Sequence, residues 1–244
     1  MKGLLASAAL VIAFAASAVV NAEEPNPRFT LRWTVSLDAA GHVTKMASAD
    51  RVAQAVHDPL DIAIRRWQFV PGSVAGHPAA TDTMLTVDVT LIPTATDRFS
   101  VRIDDARTGG GAQRQDTKPP KYPMDAIRHR RQGMVVLKVD YDAAGHVVSV
   151  VPHEGAPAVA ADLKRSAMIA VKRWNFSPEV VGGHALAGSA IVPICFEIFE
   201  SGTRPPYSGC GWTPPGSNMM LRDSDVLAIE PAARLLTEVA GRTL

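Results

Sequence analysis

The side chains best suited to chemistry in this sequence are seven histidines and one cysteine pair, Cys195 and Cys210. Histidine binds metals and moves protons near neutral pH. A zinc site, however, calls for histidines at i, i+4 or for Cys/His clusters, and no pair here has that spacing. His42 with His146, and His77 with His184, stand at equivalent points of two similar stretches, so they read as parts of a repeated fold; His57, His129 and His153 are isolated. No G-x-S-x-G, S-x-x-K, H-E-x-x-H or phosphate-loop motif occurs, and neither catalytic residue, metal nor cofactor is expected. The enzymatic alternative is a small hydrolase or metal-dependent enzyme whose site is assembled from distant residues. The cysteines lack C-x-x-C spacing and enclose Gly202, Pro205, Pro206 and Gly209, which suit a constrained loop. A disulfide closing such a loop stabilises a fold by about 3 kcal/mol in the chain-entropy model.

A lasting disulfide needs an oxidising compartment, and residues 1–22 supply an address for one. Lys2 gives a positive start, Leu4 to Val20 is apolar, and Val20-Asn21-Ala22 reads as a cleavage site. The competing reading is an uncleaved membrane anchor; either places the remainder outside the cytoplasm. With 244 residues, 47% of them hydrophobic and 20% charged, the chain can build one large or two small packed domains. Disorder is excluded, and so is a polytopic membrane protein, because no later stretch approaches ~18 apolar residues. The net charge is +1, and without Lys2 it is balanced, so no nucleic-acid partner is expected.

The elements positioning these residues come in two copies. Asp38-Ala39-Ala40-Gly41-His42-Val43 recurs as Asp142-Ala143-Ala144-Gly145-His146-Val147, and Arg65-Arg66-Trp67-Gln68-Phe69-Val70-Pro71 is echoed by Lys172-Arg173-Trp174-Asn175-Phe176-Ser177-Pro178. Upstream, Phe29, Leu31, Trp33, Val35 and Leu37 alternate with polar residues, as do Val135, Leu137, Val139 and Tyr141, which predicts a strand with one buried face. The Asp-Ala-Ala-Gly turn then predicts a hairpin. A helix follows, with Leu163, Ala167, Ala170, Val171 and Trp174 on one face in the second copy. In the first, Asp58 is the expected cap, Pro59 the first helical residue, and Leu60, Ile64 and Trp67 the buried stripe. Both tryptophans read as core rather than as ligand platforms. Each copy closes with a strand, Leu85 to Leu91 and Val192 to Ile198. Pro193 cannot donate to a ladder, so the second of these is expected to have an unpaired edge. Residues 94–117 read as a flexible linker, and 201–244 as a Cys-closed loop followed by a C-terminal helix over 222–241.

Tyr122-Pro123 with Ala126, Gly133, Asp142 with Gly145-His146-Val147, Lys172-Arg173-Trp174, Phe176 and Pro178 together resemble the C-terminal domain of TonB, over residues 118–200. Residues 23–93 resemble the same domain without the Tyr-Pro element and read as a degenerate repeat. The resemblance implies an α+β fold of two small β-β-α-β units, each an antiparallel sheet packed on one helix. It also implies a periplasmic protein-binding module in envelope transport that receives a segment of an outer-membrane TonB-dependent transporter, or of another envelope protein, by strand addition. Tyr122 and Pro123 then lie beside the binding region, and the last strand, with Ile191, Val192, Ile194 and Phe196, is the receiver. Arg128, Arg130 and Arg131 form a basic cluster that either meets acidic groups of the partner or is simply a solvated helix face. An open edge also admits a homodimer. A third reading is a structural envelope protein whose sheet edges are covered by its own linker or C-terminal segment.

Overall fold

The computed structural model describes residues 26–95, 98–112, 117–199, 210–217 and 219–244. The leader read at residues 1–22 lies outside them, as does most of the stretch between the cysteines. Among the described residues the fold is mixed and strand-rich, with three short helices.

In the N-terminal half the alternation of apolar residues becomes β1 (Arg28–Leu37), whose Leu31, Trp33, Val35 and Leu37 are buried. The turn at Asp38–Gly41 returns the chain as β2 (Val43–Ser48), antiparallel to β1. Helix α1 (Gln54–Ile64) lays Val56, Leu60 and Ile64 on the sheet. It begins at Gln54, with Ala53 as its cap, rather than at Asp58–Pro59. Pro59 therefore sits inside the helix, where it removes one internal hydrogen bond. Strand β3 (Thr81–Ala95) pairs with β1 from Thr81 to Thr90.

On its other side β3 pairs with β4 (Arg98–Gly109), in register from Met84↔Gly109 to Ala95↔Arg98. The reading of residues 94–117 as a flexible linker is therefore corrected over most of its length. Val101 and Ile103 enter the N-terminal core, and the glycines that suggested flexibility include Gly111, which with Ala112 pairs with Phe176–Ser177.

The C-terminal half has helix α2 (Met124–Arg128), strands β5 (Gly133–Tyr141) and β6 (Val147–Pro152), helix α3 (Ala161–Val171) and strand β7 (Gly188–Phe196). Val135, Leu137, Val139 and Tyr141 of β5 meet Ala190, Val192, Ile194 and Phe196 of β7 and Leu163, Ala167 and Val171 of α3 in one core. Trp174 is 2% exposed and Trp67 5%, so both are core residues as expected; Trp174 Nε1 donates to the Lys118 carbonyl at 3.0 Å. The halves share main-chain hydrogen bonding, since Val180 and Val181 pair with Asp82 and Thr81 of β3.

No helix forms over 222–241. The segment is an extended strap whose apolar side chains serve three clusters: Leu221 packs with Met134, Val136, Ile191 and Trp212, Val226 joins the C-terminal core, and Ala233, Leu235 and Val239 join the N-terminal one. Targets so dispersed do not lie on one helical face. The strap contributes strand β8 (Leu227–Ala228) to the edge of β7. Arg234–Leu235 pairs with Phe69–Val70, and Leu244 exchanges hydrogen bonds with Val101 of β4.

Candidate strand-receiving edge

Strand β7 lies between β5 and β8 in the order β6-β5-β7-β8. Its pairing with β5 is continuous from Gly188↔Tyr141 to Phe196↔Gly133. The proposed receiving residues divide by pleat. Val192, Ile194 and Phe196 point into the core at 2% exposure or less, while Ile191 and Cys195 face the opposite side. What this strand offers a partner is therefore main chain.

That main chain is not open. The Ile229 N–H donates to the Ser189 carbonyl at 2.9 Å, Leu227 and Ala228 pair with Ile191 and Ala190, and the Ser224 N–H donates to the Pro193 carbonyl at 2.8 Å. The Cys195 N–H donates to Asp223 Oδ1 at 2.7 Å. The unpaired edge expected at Pro193 is thus filled by the chain itself, and a second copy finds no free ladder there for a homodimer. Pro193 has no N–H to offer on this side, so Ser224 donates to its carbonyl and takes nothing back. Asp223 and Ser224, whose short polar side chains can end a ladder, were the missed signal in a stretch read as helix.

Burial pushes the Asp223 carboxyl above its ordinary pKa, with Glu197 adding to the rise, although the Cys195 N–H favours the ionised form. Asp225 is likewise raised by burial; Arg107 of β4 opposes the rise from 3.7 Å. Burial alone would lower the Arg107 pKa, but Asp88, Asp225 and Asp105 around it together raise it.

Tyr122 sits at the far end of β7. Its hydroxyl donates to the Arg131 carbonyl at 2.6 Å, and its ring meets Phe196 edge-on with centroids 5.3 Å apart. Burial raises its pKa, with Asp162 adding to the rise. Pro123 caps α2. Arg131 is engaged within the fold, bridging Asp125 at 2.8 Å and Asp162 at 2.9 Å, whereas Arg128 and Arg130 are exposed. The site so assembled is a backbone edge with an aromatic and basic end, suited to an extended segment.

Cys195 and Cys210 form a disulfide. Among the described residues the metal-ligand side chains close enough to share an ion are these two and Glu197, and the disulfide leaves no thiolate for one. His42 and His146 act through their main chain: each N–H donates to the aspartate four residues before it at 2.9 Å, and the rings are largely exposed. Among the described residues no helix is long and apolar enough to cross a membrane.

Residues 118–198 match the family model of the Gram-negative bacterial TonB protein C-terminal. Protein TonB of Xanthomonas campestris pv. campestris is 39% identical over 84 residues, 34% of this chain and 37% of that protein. Protein TonB of Vibrio cholerae is 31% identical over 81 residues, 32% of each chain. Protein tonB2 of Pseudomonas aeruginosa is 35% identical over 79 residues, 32% of this chain and 28% of that protein. The chain thus spans about a third of the length of these curated relatives. No solved structure matches.

Proposed function

Because residues 118–198 form a TonB C-terminal domain, we propose that this protein is a periplasmic, non-enzymatic binding module of envelope transport. It receives an extended segment of an outer-membrane transporter, or of another envelope protein, by strand addition to β7. The observation carrying this reading is the contrast between two final strands. In the N-terminal half the edge of β3 is sealed by the long strand β4, from Met84 to Ala95. In the C-terminal half, among the described residues, the edge of β7 is covered by β8 and a few flanking hydrogen bonds. An incoming strand can replace the second covering at small cost, since each main-chain bond lost is made again with the partner. Residues 23–93 are then a degenerate copy that has given up binding for support. Tyr122, Pro123, Arg128 and Arg130 border the segment's exit, and Ile191, Val192, Ile194 and Phe196 present the ladder.

Residues 23–244, with the disulfide formed and again with it reduced, are titrated with N-terminal peptides of outer-membrane transporters and followed by backbone NMR. Saturable shifts on β7, loss of the Ser224 and Ile229 hydrogen bonds, and abolition of both by proline in the peptide are expected. The covered edge itself favours a second reading, a structural envelope protein. No binding at millimolar peptide in either redox state would select it.

A further inference from the structure

We propose that the Cys195–Cys210 disulfide is a redox gate on the β7 edge: oxidised, it keeps the capping segment seated, and its reduction by a dithiol frees the edge for a partner strand. The inference rests on the reading of β7 as a receiver and assigns the regulation of that site.

Cys195 is bound to the cap twice. Its N–H is taken by Asp223 Oδ1, and its sulfur is joined to Cys210, where the described part of the capping segment begins. From Cys210 the chain enters the Gly211–Trp212 strand, which pairs with Leu221–Arg222. Trp212 and Leu221 rest on Met134, Val136 and Ile191, on the face of the sheet opposite α3, with both cysteines packed at the margin of that cluster. The disulfide therefore fixes one end of the cap on the receiving strand itself. The other end is fixed twice: the Ala232 and Ala233 N–H groups donate to Glu179 of the C-terminal half, and Arg234–Leu235 pairs with Phe69–Val70 of the N-terminal half. Between these anchors β8 is only Leu227–Ala228. A segment paired so briefly stays in place because it is kept close. Without the disulfide, the detached cap regains the chain entropy that closing a 15-residue loop had removed.

Neither cysteine is fully buried, so an external thiolate has a route to the bond. It attacks one sulfur, the Cys195–Cys210 bond breaks, and the displaced sulfur leaves as thiolate and is protonated by solvent. The reagent's second thiol then resolves the mixed disulfide. The dithiol becomes a disulfide, and two electrons and two protons reach the protein as two thiols.

Amide hydrogen exchange on the full chain, without peptide, tests the gate. Oxidised protein is compared with protein reduced by dithiothreitol and with the Cys195→Ser/Cys210→Ser variant. The amides of Ser224, Ile229 and Cys195 are expected to lose up to about a hundredfold in protection, the scale set by closing a loop of this length. Amides joining β5 to β7, and β1 to β3, keep their rates. Unchanged exchange at the three cap amides overturns the gate. So does a uniform loss across β5 and β7, which makes the disulfide a support of the whole sheet. Peptide titration of the reduced chain is read separately: faster cap exchange with no peptide bound leaves the gate standing and removes the receiver.

Discussion

Gly145 shows how much the repeated turn demands of a single residue. It holds φ +86°, and a Cβ there would lie 2.1 Å from the Phe176 carbonyl oxygen; Gly41 repeats the arrangement against Phe69. Gly145→Ala is therefore expected to lower the stability of the fold by about 3 kcal/mol, from left-handed strain plus the clash. Gly183→Ala, at φ +84° with nothing within 4 Å, carries the strain alone and should lower it by about 1 kcal/mol. Urea denaturation of the two variants separates the contributions. The aspartate of the same turn makes a pH prediction. The His146 N–H, chiefly, holds the Asp142 carboxyl below its ordinary value of 3.8, as the His42 N–H does for Asp38. A depressed pKa means that the fold prefers the ionised form. The stability it brings is present above the unfolded pKa and is lost as pH falls through the lower folded one. Carboxyl NMR titration should place both aspartates below 3.8, and Asp142→Asn should flatten the acid limb of the stability curve.

At the scale of elements the receiving edge depends on how firmly its cap is seated. Leu221 is fully buried against Met134, Val136, Ile191 and Trp212, outside the core that α3 covers. Leu221→Ala should weaken the cap by about 2–5 kcal/mol. Exchange should accelerate at Ser224 and Ile229 while the β5–β7 amides hold. Equal loss in both sets would mean that cap and sheet open as one unit. Why some elements were legible in the sequence and this one was not follows from the same packing. β1 and α3 each bury a single stripe, Leu31 to Leu37 and Leu163 to Val171, and β5 buries the alternating Val135 to Tyr141 on one face with Met134 and Val136 on the other, so their periodicity is local and readable. The strap sends Leu221, Val226 and Ala233 to three different clusters, and β4 buries the apolar Val101 and Ile103 but also the polar Arg107 and Thr108. Their structure is fixed by distant partners, and no periodicity within the segment announces it. Cys195 and Cys210 were legible as a pair, with Cys195 inside the expected last strand; that Cys210 opens the segment capping that strand needed the fold.

At the scale of the molecule one buried carboxylate holds three parts together. Glu179, in the C-terminal half, is 7% exposed. Its Oε1 accepts from Thr83 Oγ1 of β3 at 2.7 Å and from the Ala233 N–H at 3.2 Å, and its Oε2 accepts from the Ala232 N–H at 2.6 Å. It thus ties the N-terminal sheet and the strap to the domain that carries β7. Burial, with the Glu179 charge adding to it, drives the Tyr141 phenol up to about 12. Glu179→Ala leaves a hydroxyl and two N–H groups without their acceptor, at about 1–3 kcal/mol for each group that stays buried. The cost should fall on docking, because the groups left without an acceptor are the Thr83 hydroxyl of β3 and the Ala232 and Ala233 N–H groups of the strap, which Glu179 joins to the C-terminal half. Urea unfolding should then broaden or separate into two transitions, and the strap amides at Ala232 and Ala233 should exchange early. The same substitution tests the division of labour between the halves. If the N-terminal half serves to anchor the cap, undocking it should raise the affinity of β7 for an added strand. If affinity falls instead, the N-terminal half is part of the receiver.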